Sequence, residues 1–427
     1  MGILVKGARI ITQNAKREIL EGDVLVEGNE IVEVGKVKGR VEFEISGKGK
    51  LLLPGLVNTH NHVGMTLLRG YADDMPLHDW LTKAIWPREA KLKKEDVYAG
   101  SLLGCAEMIR SGTTSFADMY FFMDETAKAV EESGMCALLS HGMIDLENEE
   151  KREKELKEAE RIVRKFSGKA NGRICGSFGP HAPYSCSREL LQKANELSEK
   201  YNVPLQIHLS ETRKEVFDLK KKTGKRPADY LDELGLLSER ALLAHCVWLT
   251  KQECALLGKR KASVSHCPVS NAKLATGGVS PIPELTEAKA NVSLGTDGAC
   301  SNNSLDMFET MKYASLMQKA HRWSPEVLPA QEVLDFATRN GASALGINAG
   351  SIEKGKLADF ILIDLKAPNL TPLHSPISHL VYAARGANVS EVVIDGKIVM
   401  RERVIQTFDE EKALKRAQKS AEELCSR

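Results

Sequence analysis

The chain has 427 residues, 42% hydrophobic and 27% charged, with 59 Lys and Arg against 58 Asp and Glu. That is material for a large core, while a formal charge of +1 spread along the chain predicts no nucleic-acid footprint and no partner held by bulk electrostatics. The nine cysteines form an odd set without a CxxC pair, so neither a disulfide framework nor a zinc knuckle is expected, and a reducing, cytoplasmic setting fits. No apolar stretch approaches the roughly 18–20 residues of a membrane span, and residues 1–7 lack a secretory signal pattern, so no membrane association is expected.

Residues 1–50 read as short β-type pieces at 3–5, 9–12, 22–27, 30–34 and 41–45, punctuated by Gly and charged residues at hairpin spacing. The same texture returns at 359–365, 389–395 and 397–401, where Asp395-Gly396 is a tight-turn signal. Two β-rich ends predict a small β-sandwich domain built from both termini, residues 1–55 and 347–427, the latter closing on a charged helix over 409–425. Between them, 56–346 alternates differently. An apolar run at 51–57 is followed by others at 113–117, 137–140, 174–178, 204–209, 241–244, 262–265 and 291–294. Helix-like stretches at 98–110, 125–132, 155–166, 188–200, 228–234 and 251–257 separate most of them. Eight β/α steps predict an α/β fold, a (β/α)8 TIM barrel. A doubly wound open sheet is the rival, but no GxGxxG follows an early strand.

Functional residues of such a barrel sit at the C-terminal ends of its strands. Strand one ends in the pair His60 and His62, whose period-two spacing turns both imidazoles to one side. Strand two ends in Asp118, three in His141, and four in His181 within FGPHAPY. Strand five ends in His208, with Glu211 three residues on in HLSE; six ends in His245, seven in His266, and eight in Asp297 within GTDGACS. A lone strand-end His is usually a hydrogen-bonded structural residue, and Asp297 between two glycines could simply shape a turn. Six of the eleven histidines at one rim, with His266 as a seventh, point instead to a metal centre.

His60, His62, His208 and Asp297 offer three imidazoles and a carboxylate, a set suited to a divalent ion, zinc first, with Fe2+ or Mn2+ as alternatives. A second ion on this rim would need a bridging group, commonly a carboxylated Lys on strand four; RICGSFGPHAPY has none, so one metal is expected. Glu211 lies just beyond a ligand His, where it can carry a proton between water and substrate, although Ser-Glu-Thr also reads as a helix start. His245 and Asp297 would orient the attacking water. His266 has no assigned role.

The combination PGLVNTHNH, HLSE, LLAHC, SHCPVSN and GTDG, with GKLADFILIDL near the C-terminus, resembles the amidohydrolase superfamily, in its single-metal deaminase branch, over nearly the whole chain. More narrowly, THNHVGMTLLRGYADDMPLHDWL and FGPHAPYSCS resemble the 5'-methylthioadenosine/S-adenosylhomocysteine deaminases, a family that includes archaeal 5'-deoxyadenosine deaminases. The resemblance implies hydrolytic loss of the 6-amino group of an adenine nucleoside (5'-deoxyadenosine, 5'-methylthioadenosine, S-adenosylhomocysteine or adenosine), giving ammonia and an inosine analogue. It carries the metal ligands onto His60, His62, His208 and Asp297, the general acid/base onto Glu211, and the contact with the attacked centre onto His245. It also implies a ribose grip by Glu89, a residue near the ribose in His181, an aromatic pocket wall in Trp80, and a further contact at Ser301. Homo-oligomers, dimers or tetramers, are common in the family. The chain departs at His141, where many members have an Arg, and only Arg152 stands as a second candidate to hold a 5' tail. An α-carboxylate prefers Arg, so smaller uncharged 5' groups suit this sequence at least as well. The alternatives are a related hydrolase of guanine, a triazine or another amino-heterocycle, and a metal-free structural relative.

Overall fold

The computed structural model describes residues 2–37 and 41–427. The N-terminal strands are β1 (Gly2–Ile11), β2 (Ile19–Glu27), β3 (Glu30–Gly35), β4 (Phe43–Ser46) and β5 (Lys50–Pro54). The barrel strands are β6 (Leu56–Asn58), β7 (Thr113–Tyr120), β8 (Cys136–Met143), β9 (Ile174–Pro180), β10 (Leu205–Leu209), β11 (Ala241–His245), β12 (Ser263–His266) and β13 (Asn291–Leu294). Near the C-terminus come β14 (Phe360–Asp364), β15 (Val389–Ile394), β16 (Lys397–Arg401) and β17 (Val404–Ile405).

The terminal strands make one nine-stranded sheet in the order β17-β16-β15-β14-β5-β1-β2-β3, with β4 on β1. The two ends of the chain therefore meet at β14 and β5, which pair antiparallel. Ile3, Val5, Ile10, Val24 and Val26 share a buried cluster with Phe360 and Leu362, while the alternate residues Ile11, Ile361 and Ile363 face the larger core shared with the barrel. The barrel sheet carries β6 to β13 in chain order, all parallel. It closes where Thr59 N–H donates to Leu294 O (2.9 Å) and Asp297 N–H to His60 O (3.0 Å). Every residue of β7 is buried, as parallel strands covered on both faces require.

The apolar run 51–57 is two strands. β5 ends at Pro54 in the small sheet and β6 begins at Leu56 in the barrel. Gly55 makes the crossing possible, since a Cβ there would fall 2.2 Å from the Thr114 side chain. His60 and His62 thus sit just past a three-residue strand, in the loop that leaves it. Two barrel helices start earlier than their apolar periodicity suggests, at Lys94 and Glu149. Their polar first turns show no hydrophobic period but are capped, the second by Asn148 accepting from Lys151 N (2.8 Å). The terminal helix Glu410–Ser426 packs on the barrel helix Lys94–Arg110, not on the small sheet, and Arg427 pairs with Asp96 at 2.5 Å. Among the described residues, no helix is long and apolar enough to cross a membrane.

One connection dominates the catalytic end of the barrel. After β6 the chain makes a 3-10 helix (Val63–Leu68), then a short helix (Leu77–Asp79), a π-helical turn (Trp80–Ile85) and another short helix (Trp86–Glu89). The last three arch over the strand ends. Single π turns of this kind cluster at functional sites.

Candidate active site

The four strand-end residues His60, His62, His208 and Asp297 converge. The imidazoles of His60, His62 and His208 present nitrogens that all lie within 4.8 Å of one another. His62 Nε2 is 3.3 Å from His208 Nε2 and 3.3 Å from Asp297 Oδ1, and His60 Nε2 is 3.6 Å from the same oxygen. Two of the three rings are tied down from behind: His62 Nδ1–H donates to Met119 O and His208 Nδ1–H to His181 O, both at 2.6 Å. Those bonds fix the tautomer and turn both Nε2 atoms to the centre. Among the described residues the buried Nε2 of His60 has no hydrogen-bond partner at all. Facing acceptor nitrogens around an orphaned one need a cation between them, so this donor set fits a divalent metal ion.

Electrostatics agree with that reading. Burial drives the His60 and His208 imidazoles well below their usual range, which keeps them neutral and able to ligate. For Asp297, burial pushes the carboxyl up, but the imidazoles of His62 and His245 and the Ser270 hydroxyl outweigh it and hold it ionised, well below the usual carboxylate range. Asp297 has a left-handed backbone (φ +62°), as do Ser210 (+50°) and His245 (+70°). Strained non-glycine residues at one rim are a mark of a site held in shape by its surroundings.

Behind these residues stands a set of orienting partners. Asp297 Oδ2 accepts from Ser270 Oγ (2.6 Å) and Ser301 Oγ (2.7 Å). His245 Nδ1–H donates to Asn271 Oδ1 (2.9 Å), which turns its Nε2 toward Glu211 Oε2, 4.0 Å away. Glu211 is buried; desolvation raises its carboxyl pKa while His245 opposes the rise. Glu215 accepts from the N–H groups of Ser210 (2.9 Å) and Glu211 (2.8 Å) and so fixes the turn that carries Glu211.

A cavity of about 100 Å³ lies in front of this cluster, walled by Trp80, Glu89, His181, Tyr184, Glu211 and Ser301 among others. It adjoins two wider chambers, of about 810 and 930 Å³, and Trp86 borders all three spaces. Trp80 is buried and donates its indole N–H to Ala72 O (2.8 Å), leaving a ring face for the pocket. Glu89 accepts from Tyr120 Oη, and burial lifts its carboxyl to about 7. His181 hydrogen-bonds Ser185 Oγ (2.7 Å), and burial takes its pKa down to about 3.

Other strand-end residues stand apart. His141 pairs with Glu155 at 2.5 Å and lines the adjoining 810 Å³ chamber, not the inner cavity. Arg152 is taken up by Ser187, Asp145 and Glu189. Asp118 caps the 3-10 helix by accepting from Val63 N (2.6 Å), and burial raises its carboxyl to about 8. His266 is buried, and neither ring nitrogen has a partner among the described residues. Ser301 does wall the inner cavity, with its hydroxyl within reach of Asp297 Oδ2 (2.7 Å) and Gly298 O (3.0 Å).

Tyr120, Trp86, Asn271, Ser270 and Glu215 are pocket or supporting residues the sequence reading did not single out. Tyr120 had a signal, since it lies two residues past Asp118 on the same strand face. Asn271 and Ser270 stand in SHCPVSN, but nothing in their spacing ties them to His245 and Asp297 before the barrel folds.

Comparison with known proteins bears on this geometry. The family model described as the amidohydrolase family matches residues 51–399. The 5'-deoxyadenosine deaminase of Methanosarcina mazei is 50% identical over 427 residues, covering 100% of this chain and 99% of its own. That of Methanocaldococcus jannaschii is 51% identical, covering 99% of this chain and 100% of its own. Among solved structures, an adenosine deaminase from Xanthomonas campestris with bound zinc superposes with a TM-score of 0.95 at 35% identity, over 100% of this chain and 99% of its own. Atrazine chlorohydrolase from Arthrobacter aurescens, complexed with zinc, shares the fold with a TM-score of 0.93 at 23% identity, over 98% of this chain and 100% of its own. The strand-end cluster, the barrel that carries it and these full-length matches place the chain in the amidohydrolase family.

Proposed function

We propose that the protein is a metal-dependent hydrolase that converts the 6-amino group of an adenine nucleoside, 5'-deoxyadenosine foremost, to the inosine analogue and ammonia. The observation that carries the reading is full-length identity of about half with archaeal 5'-deoxyadenosine deaminases. His60, His62, His208 and Asp297 would hold one divalent ion, zinc in the first instance, at the convergence described above. When bound, such an ion supplies water whose pKa is lowered to roughly 7, a hydroxide source at neutral pH.

The rest falls to the chain's own side chains. Glu211 takes a proton from the attacking water and passes it to ring N1 of adenine, which leaves C6 electrophilic; it then takes the proton of the hydroxyl newly added at C6 and passes it to the departing amine. Its raised pKa suits it to hold and release that proton. His245, aimed by Asn271, hydrogen-bonds the oxygen arriving at C6. Glu89 accepts from the ribose hydroxyls, His181 lies beside the sugar, and Trp80 covers the base. The 5' end favours a small neutral group: the adjoining chamber presents His141 already paired with Glu155, and Arg161 already paired with Asp124 and Glu158. Neither side chain is free to clasp a carboxylate tail, which leaves Lys94 as the remaining basic group among the described residues on that chamber. A cytoplasmic homo-oligomer is the expected form.

The test is ammonia release from adenosine, 5'-deoxyadenosine, 5'-methylthioadenosine, S-adenosylhomocysteine and guanine at equal concentrations. The reading expects activity on the nucleosides, highest for the small neutral 5' groups. Activity on guanine alone would overturn it.

A further inference from the structure

Tyr120 ends strand β7 and is 4% exposed, yet its hydroxyl reaches the substrate side of the barrel and donates to Glu89 Oε1 at 2.8 Å. Its ring has no room to swing. A Cβ on Gly64 would come within 2.8 Å of the Tyr120 ring carbons Cδ1 and Cε1, so the bare glycine face of the 3-10 helix is the bed on which the ring lies. The Phe121 ring packs against it with centroids 5.2 Å apart, and His62 lies 6.4 Å away. The hydroxyl is therefore held at a fixed point on a rigid strand.

Glu89, by contrast, comes from the end of the arched segment 77–89. The side-chain anchors of that segment are otherwise local: Trp80 to Ala72, Arg88 to Tyr71 (2.5 Å) and Lys83 to Asp79 (2.9 Å). Among the described residues, Tyr120–Glu89 is the hydrogen bond that ties the segment to a barrel strand. A carboxylate has about four acceptor sites on two oxygens. With Oε1 engaged by Tyr120, Oε2 is left for two vicinal hydroxyls. Burial works against the charge this requires, and the Tyr120 bond is the interaction that opposes it.

We propose that Tyr120 is a positioning residue that aims Glu89 at the 2',3'-diol of the substrate, and that Gly64 serves to admit its ring. This rests on the adenine-nucleoside reading above. Tyr120 touches no reacting atom, so its effect falls on discrimination in favour of the diol.

Steady-state kinetics with adenosine and 2',3'-dideoxyadenosine test it, because both keep the 5'-hydroxyl and differ only in the diol. Tyr120→Phe keeps the ring and removes the hydrogen bond, a change of roughly tenfold in an equilibrium. The ratio of kcat/KM, adenosine over dideoxyadenosine, should fall about tenfold, carried by KM for adenosine. In a Glu89→Ala background, which has no acceptor for the Tyr120 hydroxyl, the same substitution should change the ratio no further. An equal loss on both substrates marks a role in folding alone and overturns the proposal, as does an unchanged ratio. Wild-type enzyme inactive on both nucleosides and on 5'-deoxyadenosine removes the activity reading, and this proposal with it.

Discussion

His60 shows how much one residue carries. Its Nε2 is buried and has no hydrogen-bond partner among the described residues, while the rings of His62 and His208 are turned to face it by carbonyls at 2.6 Å. A buried acceptor without a donor is costly unless something electrophilic sits beside it. His60→Ala should therefore remove bound metal and activity together, read as metal per chain after dialysis. Glu211→Gln separates chemistry from binding: the metal should stay while kcat falls ~10²–10⁴-fold. Near-normal turnover with full metal would rule out the proton-carrying role. Asn271→Ala leaves His245 in place but releases its Nδ1, and a loss of roughly 10–100-fold in kcat is expected. The donor types and their strand-end positions were legible in the sequence, because each ended an apolar run. Asn271 and Glu215 were not, because they act on atoms that only the folded chain brings near.

At the scale of elements, the informative errors lie where one apolar run serves two sheets. Residues 51–57 look like a single strand, since hydrophobic runs report burial and not the sheet that does the burying. Gly55 marks the crossing, and Gly55→Ala would force a Cβ against Thr114. Overpacking of that kind costs about 1–3 kcal/mol and should lower the unfolding midpoint in a thermal scan. The arched segment was half legible. Its motif residues Trp80 and Glu89 came from resemblance, but its π turn and the meeting of Trp86 with three cavities depend on packing that no periodicity announces. Asp118, two residues before the end of β7, was a candidate for chemistry; it caps the Val63–Leu68 helix. Burial raises it from 3.8 to about 8, so its contribution to stability is full below about pH 4 and is lost as pH rises toward 8. Asp118→Asn keeps the acceptor for Val63 N and cannot ionise. Its unfolding midpoint should gain on wild type between pH 4 and pH 8, and parallel curves would contradict that account.

For the whole molecule, β6 to β13 close a barrel whose one end is all chemistry, and the chain's two termini build a sheet that contributes no residue to the cluster. That division was readable from composition: β-rich ends, an alternating middle, and polar groups after nearly every barrel strand. The seat of the terminal helix was not legible, because its charged face gives no hint that Ala413, Ala417 and Leu424 are buried and that the helix packs on a barrel helix. A metal held by the folded chain and not by the unfolded one stabilises it by RT ln(1 + [L]/Kd), about 2.7 kcal/mol at a hundredfold excess over Kd. Chelation should then lower the unfolding midpoint, with recovery on adding zinc back. The most direct measurement is a zinc titration of chelator-stripped protein with ammonia release from 5'-deoxyadenosine as the readout. Activity should rise linearly and break at one ion per chain. Full turnover without metal, or a break at two, would contradict a single-metal deaminase.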